Sequence, residues 1–255
     1  MTAHPKQQPP TSAPASLTRR SRAARLRRVV LRSLGGLLVL LLAAFAVGWA
    51  VTPGVGDAEQ RVAARLAAFG GTPSTGQVPE RVAAALLATE DSRFGSHPGI
   101  DWRGALRAPL GVVVGHDLGG STIQQQLARV LYEDGAIDPG ARARSVVLAV
   151  KLDRAWGDEQ LLRMYLDTVY FGHGFYGVQA AAEGYFGLPP AELGWAQATV
   201  LVGLVQAPSA YDPLAHPELA AARQAHVLDR LVDVGTLTRA DAGAIAAEPW
   251  HLTAG

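Results

Sequence analysis

From Leu34 to Val51 the chain reads LGGLLVLLLAAFAVGWAV, eighteen residues without one charge. As a helix this run spans about 27 Å, close to the roughly 30 Å of a bilayer's hydrocarbon core. It has no polar face, so it does not fit an amphipathic helix packed on a water-facing domain. Trp49 stands near its far edge, where interfacial aromatic residues concentrate. Eight of the 23 Lys and Arg lie in residues 1–33 with no acid among them, leaving 15 bases against 22 acids beyond. A run such as RRSRAARLRR would suit nucleic acid, but the apolar span that follows points to a membrane instead. Arginines on one side only predict residues 1–33 in the cytoplasm and the remainder outside. The run is longer than the apolar part of a secretory signal and no good A-x-A cleavage site follows, so an uncleaved anchor over 34–51 in the cytoplasmic membrane is expected. Residues 1–33, which open with the Pro-, Ser- and Gln-rich TAHPKQQPPTSAPAS, are expected to form a basic, unstructured tail.

Beyond the anchor, Ala and Leu recur at spacings of three and four between Gly and Pro, which predicts a mainly α domain over 57–255. PERVAAALLATE places Val82, Leu86 and Glu90 on one inward stripe of a helix. In GGSTIQQQLARVLY, Gly119 and Gly120 precede Ser121, and Gln124 three residues on gives the spacing of a capping box. Ile123, Leu127, Val130 and Leu131 would form that helix's apolar face. RARSVVLAVKLDRAW and DEQLLRMYLDTVYFG read as two further helices, and FGHGFYGVQAAAEGYFG as an aromatic turn into another, plausible as a groove wall. ELGWAQATVLVGLVQ is apolar nearly all round and should be buried; the last two helices end at Gly235 and start at Thr238.

There are no cysteines, hence no disulfide framework or thiolate metal site. The seven histidines show no zinc-ligand spacing, G-x-S-x-G is missing, and GGSTI lacks a phosphate-loop lysine. Glu90 is different, because a carboxylate at the end of a buried stripe loses solvation and becomes easier to protonate, as an acid–base catalyst requires. The competing reading is a structural ion pair with Arg93 or His97, and spacing alone does not separate the two. The start of the Ser121 helix, with its free N–H groups and two hydroxyls, would suit an anionic oxygen or be no more than a well-capped helix.

ATEDSRFGSHPGIDWRGALRA and GGSTIQQQLAR resemble the first two motifs of the peptidoglycan glycosyltransferases, the transglycosylase module of class A penicillin-binding proteins and of monofunctional biosynthetic transglycosylases. LLRMYLDTVYFGHGFYGVQAAAEGYFG and LVGLVQAPSAYDP are similar to later motifs, in the same order, over roughly residues 60–235. The resemblance implies a lysozyme-like, two-lobed α fold behind a single transmembrane helix. It also implies the polymerisation of lipid II into β-1,4-linked glycan at the outer membrane face, with release of undecaprenyl pyrophosphate. Glu90 would be the general base. Ser121, Thr122, Gln125, Gln126 and Arg129 match the motif beside the pyrophosphate; Asp91, Phe94, His97 and Asp101 match the rest of the first, more as scaffold than as reagents. With no penicillin-binding domain after the module, the chain resembles the monofunctional kind, whose partners are membrane, glycan strand and a separate transpeptidase.

The third motif departs from the family. ARARS, residues 141–145, keeps basic positions at Arg142 and Arg144 but has Ala141 for the leading arginine and Ser145 for a glutamate. In the family that glutamate organises the pyrophosphate side, directly or through a divalent cation such as Mg or Mn. Asp153 lies about 12 Å along the same helix, too far for one ion to reach both positions, whereas Glu133 and Asp134 sit in the preceding loop and are freer to reach in. Gln124 stands where the family usually has threonine. Two functions follow as expectations: an active polymerase with a modified donor site, or a degenerate relative that binds lipid II or glycan as a scaffold or regulator. A glycan-cleaving lysozyme-like enzyme ranks third, since it would need neither the GGST motif nor the anchor.

Overall fold

The structure, a computed structural model, describes residues 15–74, 76–104, 120–136 and 138–253. It divides into two units, residues 1–51 and 52–255. The first unit is one helix, α1 (Ala15–Val51), within which Arg27–Val51 is long and apolar enough to cross a membrane. This corrects the expected tail: from Ala15 onward the basic stretch continues the same helix. Arg, Ala and Leu are strong helix formers, and a formed span removes the nucleation cost of extending it. Residues 1–14 lie outside the described residues.

The second unit begins five residues earlier than the sequence suggested. Lys151 Nζ donates to the carbonyls of Thr52 (2.8 Å) and Pro53 (3.1 Å), and Trp156 Nε1 to that of Val55 (2.9 Å). The helices are α2 (Ala58–Ala67), α3 (Glu80–Glu90), α4 (Ile123–Tyr132), α5 (Pro139–Ala155), α6 (Asp158–Thr168), α7 (Val178–Phe186), α8 (Trp195–Leu204), α9 (Pro217–Asp233) and α10 (Arg239–Ala246). Among the described residues there is no strand, only one antiparallel bridge between Tyr170 and Tyr176. The mainly α reading holds.

Periodicity decides which faces go inside. On α3, Val82, Ala85 and Leu86 are wholly buried against α8 and α9; a buried Val or Leu side chain is worth about 1.5–3 kcal/mol. On α4, Ile123, Leu127 and Leu131 face α5 and α6, while Val130 is only half-buried. The cap of α4 is one residue later than expected. Thr122, not Ser121, is the N-cap: its Oγ1 accepts from Gln125 N (3.1 Å), and Gln125 Oε1 accepts from Thr122 N (2.9 Å). That register buries Thr122 and leaves Ser121 exposed; Gly119 lies outside the described residues.

The aromatic turn closes on the core. Phe175 meets Tyr185 edge-on at 5.1 Å and lies so close over α7 that a Cβ on Gly184 would stand 2.1 Å from its ring. α8 is buried nearly all round, as its composition predicted, and Thr238 caps α10.

Candidate active site around Glu90

Glu90 is the last residue of α3, and the chain turns sharply at Asp91 (φ −155°, ψ 71°). The turn carries the polar groups off the apolar stripe and pairs them with one another. His97 Nε2 lies 2.9 and 3.1 Å from the two carboxylate oxygens of Asp91, both side chains buried. Burial opposes charging of the ring, but the hydrogen bond and charge of Asp91 outweigh it and raise the His97 pKa above its usual value. Asp91 Oδ2 also accepts from Ile123 N (3.1 Å), which ties the start of α4 to the end of α3. Arg93 grips Asp101 through both oxygens. Burial works against the Asp101 carboxylate, yet backbone N–H groups and Arg93 bring its pKa below the usual range. Thr122 Oγ1 donates to Gly99 O (2.8 Å), and Gly99, at φ +80°, lies so close to α5 that a Cβ would come within 2.5 Å of Ala149 O.

Several sequence-based assignments change accordingly. Arg93 and His97, the ion-pair partners of Glu90 in the competing reading, are committed to Asp101 and Asp91. Asp91, Phe94 and His97, which match the first motif more as scaffold than as reagents, are buried and brace the turn; Phe94 belongs to the hydrophobic core. Thr122 and Gln125 are occupied by the cap.

Glu90 itself faces a cavity of about 150 Å³ lined by Thr89, Gly120, Ser121, Gln126, Gln206, Arg223 and His226. Gln126 Nε2 donates to Glu90 Oε2 (3.2 Å), and Tyr165 Oη donates to Gln126 Oε1 (2.8 Å). Complete burial, reinforced by the Glu90 charge and only partly offset by Arg129, lifts the Tyr165 phenol far above its ordinary pKa. Arg223, from α9, brings Nη2 to 3.7 Å from Glu90 Oε1. The carboxylate therefore sits between an amide and a guanidinium, one from each side of the helical packing, and can receive a proton from a hydroxyl entering the cavity.

On α5, Arg142 and Arg144 are exposed and Ser145 is buried, its Oγ donating to Arg142 O (2.8 Å). Arg144 holds Glu133 through both carboxylate oxygens. Asp153 accepts from Gln124 Nε2 (3.1 Å); its burial outweighs this bond and raises its pKa. Glu133 is thus paired with Arg144 and Asp153 with Gln124, while Asp134 is exposed in a left-handed conformation. Among the described residues there is no group of three or more His, Cys, Asp or Glu that could hold a metal ion.

The Transglycosylase family model matches residues 67–232. The chain belongs to the transglycosylase family. Penicillin-binding protein 1A of Mycolicibacterium smegmatis is 40% identical over 162 residues, 61% of this chain and 21% of that one. Penicillin-binding protein 1F of Bacillus subtilis is 36% identical over 158 residues, 61% of this chain and 22% of that one. A Cupriavidus necator protein named as a transglycosylase is 34% identical over 168 residues, 66% of this chain and 73% of that one. The chain thus spans about a fifth of the length of the penicillin-binding proteins it matches. A crystal structure of penicillin-binding protein 1A from Haemophilus influenzae shares 31% identity over 38% of this chain and 15% of that one, at a TM-score of 0.37.

At the Glu90 cavity of this transglycosylase module Arg223 and His226 escaped the sequence reading, as did Tyr165 behind Gln126. Arg223 carried a readable signal. On α9 the buried residues are Ala220, Gln224, Val227, Leu228 and Leu231, and an arginine within that stripe breaks the pattern as Glu90 does on α3.

Proposed function

We propose that this module is a peptidoglycan glycosyltransferase that polymerises lipid II, with Glu90 as general base. The observation that carries the reading is the Glu90 carboxylate, only 18% exposed, facing a polar cavity with Ser121 and Gln126 beside it. Glu90 takes the proton of the acceptor sugar's 4-hydroxyl as that oxygen bonds to the donor's anomeric carbon. The α-linked bond to undecaprenyl pyrophosphate breaks, its electrons leave on the phosphate oxygen, and a β-1,4 bond forms with inversion. On the leaving side, charge must be met by preorganised donors and cations. Ser121 in the cavity, Arg129 on α4, and Arg142 and Arg144 at the start of α5 are the groups we assign to that work. The Arg27–Val51 span would hold the module at the outer membrane face.

A second reading, a lipid II- or glycan-binding scaffold, is favoured by Ser145 and by the Glu133–Arg144 pair, which together leave the donor side short of a carboxylate and occupy one of its three arginines. One assay separates the two. Purified full-length protein in detergent with labelled lipid II should yield glycan chains, and Glu90→Gln should reduce the rate at least a hundredfold, the lower range for a lost general base (~10²–10⁴). Lipid II binding without any chain from the parent protein would leave only the scaffold.

A further inference from the structure

Arg223 lies outside the first three motifs, more than a hundred residues beyond Glu90 on α9, yet it reaches the same cavity. Its side chain is 11% exposed and its Nε is buried with no hydrogen-bond partner among the described residues. Two neighbours shape its path. The guanidinium carbon sits 5.8 Å from the centre of the Tyr211 ring, and Gly203 of α8 leaves room for the stem, since a Cβ there would stand 3.1 Å from Arg223 Cγ. At 3.7 Å from Glu90 Oε1 the guanidinium acts through its charge, beyond the range of a normal hydrogen bond.

We propose that Arg223 is a positioning residue for the base: its nearly buried positive charge keeps Glu90 ionised and ready to accept a proton. This rests on the reading of Glu90 as base. A carboxylate half out of water would otherwise drift toward its neutral form, and a neutral base takes no proton; a cation within 4–6 Å favours the charged form by about one to three pH units. Among the described residues, the other titratable or charged groups near this site are His226 on α9, Arg129 on α4 and Tyr165 on α6, and α8 supplies none. Arg223 brings a guanidinium nitrogen to 3.7 Å from a Glu90 oxygen. Gln126 fixes the other oxygen without adding charge, so aim and ionisation are divided between two helices.

The test titrates Glu90 itself, in full-length protein in detergent, by the infrared carboxyl band that disappears in Glu90→Gln. Arg223→Met keeps the length of the stem and removes the charge; it should raise the midpoint by about one pH unit, while Arg223→Lys stays near the parent. The acid limb of the polymerisation rate should move by the same amount. Arg223→Gln serves the same purpose if the Met variant does not fold. An unchanged Glu90 midpoint in a folded neutral variant overturns the proposal. A parent that makes no glycan but shows the midpoint shift removes the polymerase reading and leaves the Arg223–Glu90 coupling standing.

Discussion

Arg144 is 48% exposed, yet the Glu133 carboxylate it holds is only 8% exposed. An ion pair with one partner in solvent contributes little to stability, about 0–1 kcal/mol, but it decides whether Arg144 is available to a phosphate. Glu133→Gln should therefore tighten binding of lipid II roughly two- to fivefold while leaving the melting temperature nearly unchanged, measured by titration and thermal unfolding. A second residue-level expectation concerns pH. Burial opposes a charged His97, but Asp91 overrides it and the folded-state pKa lies above 6.5. Stability from that pair is complete below pH 6.5 and is lost as pH rises through the raised value. Thermal unfolding of the parent should show the decline above pH 6.5, and His97→Gln should flatten it. Both expectations arise from partners that linear spacing hid: His97 is seven residues from Glu90 but bonds Asp91, and Glu133 is eleven residues from the arginine that holds it.

Among the elements, two glycines set how closely segments approach, with different consequences. Gly99 holds the turn after α3 against α5 and carries the carbonyl that receives Thr122, so Gly99→Ala should disturb both packing and the start of α4. Gly184 lies under Phe175 and does not line the Glu90 cavity, so Gly184→Ala should disturb packing alone. Each should cost roughly 1–3 kcal/mol in chemical denaturation, but only the Gly99 variant should lose lipid II turnover beyond its loss of folded protein. The existence of these helices was legible, because Val82 and Leu86, Ile123 and Leu127, and the unbroken apolar run of α8 carry their own period. The cap of α4 was not, because Ser121–Gln124 and Thr122–Gln125 offer the same spacing one residue apart. Only the tertiary bonds of Ile123 N and Thr122 Oγ1, to segments 32 and 23 residues away, choose between them.

For the molecule as a whole, the hydrophobic core lies entirely within residues 52–255. A fragment starting at Thr52 should therefore unfold cooperatively at nearly the parent temperature, yet lose its retention by lipid vesicles in a flotation assay. The apolar span announced itself in eighteen uncharged residues, whereas the pairing of Arg223 with Glu90 depends on how helices 133 residues apart fold together. The donor side makes a further whole-protein expectation. With Ser145 bonded within its own helix and Glu133 and Asp153 already engaged, a chelator should change the polymerisation rate less than about twofold, the spread expected of a perturbation worth under ~0.5 kcal/mol.

The line from Glu90 through Gln126 to Tyr165 also governs traffic. An amide does not hand a proton onward, and the phenol behind it, buried and facing a negative charge, gives none up near neutral pH. Under the proposed mechanism, a proton gained by Glu90 would have no exit along this line of groups. If that proton then leaves from the cavity side, each round of the proposed synthesis would be reset between one sugar's departure and the next one's arrival.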